Sequence, residues 1–211
     1  MILAIEMIMF QKGFYYWMQI LLLQLYQGII IARCSQQKRN RDFEVIVHMP
    51  MESTKKPPGE KEYMLSTSMT SSEIENRVEQ VIAEFPEAVG MNNHQGSKAT
   101  ADKRIMNIVS NILKRHGKYF IDSRTTAETV AETTMRSRGV PTIRRHVFLD
   151  NENKHNKIKE QLYKLVDKAE SKGLAVGIGH ARKNTLEVLQ QEIPKLKEHG
   201  FKFQFASFAV K

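Results

Sequence analysis

The sequence predicts an α/β fold in which parallel strands alternate with amphipathic helices, as a sheet or a barrel. From residue 43 onward, short β-rich runs and helices with apolar residues at three- and four-residue spacing succeed one another. The helices are punctuated by capping residues at their starts and by glycine or proline at their ends. A third observation is that each β-rich run ends in a polar or ionisable residue. Residues 43–47 lead into His48, and Ala88-Val89 into a loop of Asn92, Asn93 and His94. Residues 119–121 lead into Asp122, 146–149 into Asp150, and 174–179 into His180. A sheet of parallel strands gathers such residues at one rim, where α/β folds place their sites.

The N-terminal stretch, residues 1–42, stands apart from the domain expected over 43–211. Residues 13–32 are uncharged, rich in Ile, Leu, Phe and Tyr, and about the length that spans a bilayer. Phe14, Tyr15, Tyr16 and Trp17 sit near one end as interfacial anchors do, and Arg33, Lys38, Arg39 and Arg41 come after it. Gln19, Gln24, Gln27 and Gly28 interrupt it, Glu6 spoils a basic leader, and Arg33 stands where a signal peptidase needs a small residue. A membrane association through 13–32 is one expectation; a buried helix or strand pair belonging to the domain is the other.

The first helix opens at the capping box Thr70–Glu73, carries Ile74, Val78, Val81, Ile82 and Phe85 on one stripe, and stops at Pro86. The second starts near Thr100 with Asp102 in its first turn, buries Ile105, Ile108, Val109, Ile112 and Leu113, and closes at Gly117. A third is expected from the Thr125–Glu128 cap to Gly139, with Pro141 blocking continuation. The fourth runs on Ile158, Leu162, Leu165, Val166 and Ala169 to Gly173. The last is capped by Asn184 with Glu187 three residues on, faces inward through Leu186, Leu189 and Ile193, and ends at Gly200. Residues 201–205 read as a closing strand, and Lys55 to Gly59 as an exposed loop.

Composition narrows the function classes. With 211 residues and 41% hydrophobic residues, the chain can bury a substantial core. The single Cys34 excludes an internal disulfide and a cysteine metal site. A net charge of +9 suits an anionic partner, but no RNP-like motif, zinc-finger spacing or Arg-rich tract accompanies it. Lysines lie beside glutamates, as in 157–160 and 195–198, so the charge reads as a solvated face and no nucleic-acid partner is expected.

The rim offers His48, Glu52, His94, Asp122, Asp150 and His180. Neutral imidazoles with carboxylates suit Zn²⁺ or a similar divalent ion, and a spare His or Asp moves protons. Taken singly, each has a plain structural alternative: a satisfied histidine, a turn-capping Asp122, an Asx turn at Asp150-Asn151. Glu52 lies four after His48, but Pro50 between them argues against a helical pair. His116, His155 and His199 fall on charged helix surfaces or ends and read as solvated.

Five ordered motifs resemble the divergent polysaccharide deacetylase family: 48–52, 90–97, 120–125, 147–151 and 177–180. The resemblance covers roughly residues 43–208. It implies a distorted β/α barrel and removal of acetyl groups from a wall or exported polysaccharide with a divalent metal, in a bacterial protein that is exported or membrane-associated. It further implies His48, His94 and Glu52 as metal ligands, and His180 as proton donor. Asp122 becomes a second catalytic group, and Asn93, Arg124 and Asp150 substrate-facing residues. Two departures stand out. The family opens with a strand ending in Asp-Asp, a ligand and the base, whereas the only acid before Asp42 is Glu6. His146 stands where the family usually has Asp. A start truncated or frame-shifted upstream of Phe43 explains the first departure; so does a degenerate homologue, which would act as a silent glycan-binding or scaffold protein.

Overall fold

The computed structural model of the chain describes residues 2–8, 29–32, 44–55 and 63–210. Its strands in chain order are β1 (Ile2–Ile8), β2 (Ile29–Ala32), β3 (Ile46–Met51), β4 (Gly90–Gln95), β5 (Tyr119–Asp122), β6 (Thr142–Arg144), β7 (Val147–Phe148), β8 (Leu174–His180) and β9 (Lys202–Gln204). The helices are α1 (Ser71–Glu84), α2 (Lys103–Arg115), α3 (Ala131–Ser137), α4 (His155–Lys172) and α5 (Lys183–Glu198). Every strand pairing among the described residues is parallel, so the α/β class is as the sequence predicts. Among the described residues the ladders form two sheets: β2-β1-β8-β7 with β9 also on β1, and β3-β4-β5-β6. The chain correspondingly divides into two compact units, Met1–Glu44 with Arg145–Ala209, and Val45–Arg144 with Val210–Lys211.

In the second unit, Val47, Met49 and Met51 of β3 join Met91 and Phe120 in a core closed by α1 and α2. Successive strand side chains alternate faces, so His48 points away from that helix-covered face. Gly90 has no Cβ because one would lie 2.5 Å from the Tyr119 ring. The capping box at Thr70 and Glu73 starts α1 as predicted. Asp102 caps α2 by accepting from Arg104 N and Ile105 N, after a short 3₁₀ turn over Ala99–Ala101.

In the first unit, Ala175 of β8 faces α4 and α5 with Leu162, Leu165, Leu189 and Ile193. Gly177 lies on the same face, where a Cβ would meet Leu165 at 2.8 Å. His180, an odd number of residues from both, points to the opposite face. β1 runs along the whole of β8, with Ile2 beside Leu174 and Ile8 beside His180. Strands thus occur at 2–8 and 29–32, inside the segment read as apart from the domain. Most of the expected membrane association, residues 13–28, lies outside the described residues, as do Cys34 and residues 56–59 of the predicted exposed loop. Among the described residues no helix is long and apolar enough to cross a membrane.

Several boundaries differ from the sequence reading. The helix expected from Thr125 begins only at Ala131, because Thr125 Oγ1 donates to Gln95 O and Thr129 Oγ1 to Asp122 Oδ2. Those bonds hold residues 125–129 as a loop. Asn184 does not cap α5, which starts at Lys183; its amide donates to Asn153 O at 3.0 Å, and Glu187 pairs with His155 at 2.7 Å. His116 pairs likewise with Glu79 at 2.7 Å, so two of the histidines read as solvated are exposed but partnered.

Two carboxylates stitch elements together. Glu52 accepts from Ser66 Oγ, Thr67 N, Thr67 Oγ1 and Lys98 Nζ. Glu192, almost buried on α5, accepts from Lys159, Lys195 and Tyr163. Burial acts to raise both acids, yet these donors outweigh it and hold each at about 2, below the ordinary 4.5. A carboxyl lowered on folding stabilises the fold above its unfolded pKa, and that stability is lost as pH falls toward the folded value. Thermal stability is therefore expected to drop between about pH 4.5 and 2. In melts recorded across that window, Glu52→Gln and Glu192→Gln should each flatten the dependence; unchanged slopes would count against these bridges.

Candidate functional site

In-register pairing places His48 beside Asn92 and Pro50 beside His94. With a two-residue period, His48, Asn92 and His94 therefore share the sheet face opposite Met91 and Phe120. His48 Nε2 lies 3.1 Å from His94 Nδ1, and the rings are tilted by 59° with centroids 4.8 Å apart. On its other side, His48 Nδ1 is 2.7 Å from Asn92 Oδ1. An amide oxygen only accepts, so the proton of this bond sits on His48 Nδ1. Asn92 is fully buried, and its Nδ2 donates to Ser123 Oγ at 3.3 Å.

Asn93 points the other way and bridges two strand ends. Its Oδ1 accepts from Ser123 N at 2.8 Å and its Nδ2 donates to Gln95 O at 2.7 Å. Gln95, at the end of β4, and Arg124, just beyond β5, both adopt left-handed backbone with φ of 53° and 46°. Such conformations are unfavourable for residues with a Cβ and persist where neighbours fix them. Here Asn93 and Thr125 hold Gln95 O, and Asp122 Oδ1 holds Arg124 N at 2.8 Å.

Asp122 continues the parity of Phe120 and so lies on the helix side of the sheet, away from the two imidazoles. It is buried against Thr129 and Arg124 N, and desolvation raises its pKa despite those bonds. Glu52 is committed to Ser66, Thr67 and Lys98. Of the residues singled out in this unit, the structure brings His48 and His94 together and leaves Glu52 and Asp122 elsewhere. Among the described residues, no group of three His, Cys, Asp or Glu is arranged to hold a metal ion.

The first unit builds a second constellation. His180 Nδ1 lies 3.0 Å from Asp150 Oδ1, while Asp150 Oδ2 accepts from His180 N at 2.9 Å and Thr185 Oγ1 at 3.0 Å. Asp150 is fully buried. Burial pushes its carboxyl up, but the bonds and charge of His180, with Thr185, hold it below the usual range. The carboxylate keeps the proton on Nδ1 and turns Nε2 of the partly exposed His180 outward. The imidazole rests against Phe148 at 5.4 Å, and the Arg145 guanidinium covers that ring at 5.0 Å. Asp150, expected to face substrate, thus acts on His180. Thr185 carries no signal in the sequence reading, though it lies five residues after His180 at the start of α5. His146 serves the sheet: Val176 N donates to its Nδ1 at 3.0 Å, replacing a backbone rung.

Residues 31–210 match the divergent polysaccharide deacetylase family. Over 157 residues the chain is 38% identical to the Escherichia coli (strain K12) protein YibQ, covering 74% of this chain and 49% of that one. Over 164 residues it is 33% identical to an uncharacterized protein of Haemophilus influenzae, covering 78% and 58%. The chain spans about half the length of these curated relatives. Among solved structures, an uncharacterized protein from Agrobacterium tumefaciens C58 shares the fold with a TM-score of 0.86 at 18% identity, covering 99% of this chain and 89% of that one. With the match running through both constellations, the chain belongs to the divergent polysaccharide deacetylase family.

Proposed function

We propose that the chain serves metal-dependent deacetylation of a cell-wall or exported polysaccharide. The observation that carries this reading is the pairing of His48 Nε2 with His94 Nδ1 at 3.1 Å. Nitrogens that share one Zn²⁺ lie roughly 3–4 Å apart, so the pair fits two neighbouring positions around a divalent ion. Held there, such an ion supplies Lewis-acid polarisation of an acyl oxygen and a lowered water pKa. The family resemblance makes His180 the proton donor, and with its Nδ1 proton fixed by Asp150 its Nε2 is suited to hold a second proton. Ser123 and Asn92 brace the imidazole pair, while Arg124 and Asn93 shape the strand ends.

The rival reading, a silent glycan-binding protein, draws on β1. That strand ends in Met7-Ile8 and contains Glu6 as its only acid, so it lacks the Asp-Asp pair of the family's opening strand. Absence of a general base costs on the order of 10²–10⁴-fold in rate. Zinc-dependent acetate release from N-acetylglucosamine oligosaccharides is therefore expected to be slow but above a protein-free control. His180→Ala should abolish it while zinc binding persists. Saturable oligosaccharide binding with no acetate release would establish the rival. Fast release would show that the base function is met by a residue other than an Asp-Asp pair on β1.

A further inference from the structure

We propose that Asn92 is a positioning residue that fixes the tautomer of His48 and thereby decides which imidazole nitrogens are offered as ligands. In its metal clause the inference rests on the proposed deacetylase function; its tautomer clause does not. A buried amide oxygen 2.7 Å from His48 Nδ1 accepts its proton, which leaves the Nε2 lone pair directed at His94. The other end of the amide is matched as well, with Nδ2 donating to Ser123 Oγ at 3.3 Å.

The 3.1 Å contact between the two rings has a further consequence. With both rings neutral and the His48 proton on Nδ1, the hydrogen bond needs a proton on His94 Nδ1. Presenting both facing nitrogens as lone pairs then requires His94 to move its proton from Nδ1 to Nε2. The pair is asymmetric: His48 is set in advance by Asn92, whereas His94 changes tautomer when an ion enters. Partners that orient ligand histidines typically affect metal affinity by about 10–100-fold.

The test uses the full chain with ¹⁵N-labelled histidine, observed by long-range ¹H–¹⁵N correlation at a pH where both rings are neutral. Metal-free protein should show His48 protonated on Nδ1 and His94 on Nδ1, and added Zn²⁺ should shift His94 alone to the Nε2–H form. Asn92→Leu should release His48 to the Nε2–H form and weaken zinc binding, by calorimetry, roughly 10–100-fold. Asn92→Asp, which keeps an acceptor in place, should retain both properties and guards against a folding artefact in the leucine variant. His48 protonated on Nε2 in the native protein, or an Asn92→Leu variant that keeps the Nδ1–H form, would overturn the assignment. If the native protein binds no zinc while His48 remains the Nδ1–H tautomer, the metal reading fails and the tautomer assignment stands.

Discussion

Replacing His94 with alanine is expected to weaken zinc binding by more than about 100-fold, because a change in an orienting neighbour alone costs about 10–100-fold. His48→Ala should do the same. Both side chains are only partly buried on the sheet face away from the α1–α2 core, so neither change opens a cavity among Val47, Met91 and Phe120. The melting temperature of metal-free His94→Ala should therefore move little, whereas His48→Ala also takes the donor from the buried Asn92 Oδ1, which costs about 1–3 kcal/mol. Calorimetric zinc titrations and thermal melts of the two variants check this together. A variant that binds zinc like the native chain would remove the imidazole pair from consideration as a metal site. One that simply unfolds would show that the pair is structural.

Asp150→Ala is expected to be the most damaging single change in the first unit. The carboxylate is fully buried and receives His180 N, Thr185 Oγ1 and the His180 ring. Without it these donors lose their acceptor, at about 1–3 kcal/mol for each buried one left unpaired. At about 2–4 °C per kcal/mol, the melting temperature should fall by roughly 10 °C. The loss should shrink in acid: a carboxyl held below its usual range stabilises above its unfolded pKa and ceases to do so as pH falls through the folded one. Melts of native and variant protein across acidic pH measure both. A native-like melting temperature would mean that Asp150 is idle in the fold.

The alternation of strand and helix, the Thr70–Glu73 box and the apolar stripes are legible in the sequence because burial imposes their spacing. The rim strands are less so. Asn92, Asn93 and His94 have weak strand propensity, so the sequence points to a strand at Ala88-Val89 and a loop for the three polar residues. They are in fact β4 itself, and Pro50 lies within β3. As a strand, the stretch puts Asn92 and His94 on one face two residues apart, which is the signal for Asn92 as the brace of His48. β6 and the role of Thr185 leave no local pattern, because each depends on a partner distant in sequence. Glu52 illustrates the converse: four residues after His48 it looks available, and only the fold reveals Ser66, Thr67 and Lys98 around it.

Asn93 gives the strand ends an unusual kind of independence. Backbone pairing between β4 and β5 stops at Asn92 and Ile121, and the next rung is made by an amide side chain that reaches Ser123 N on one side and Gln95 O on the other. A rung built from a side chain can be exchanged by a single replacement without altering the register beneath it. The contour of the rim is therefore written in one amino acid rather than in the sheet. Within such a family, one substitution at this position reshapes the strand ends while the scaffold below stays the same.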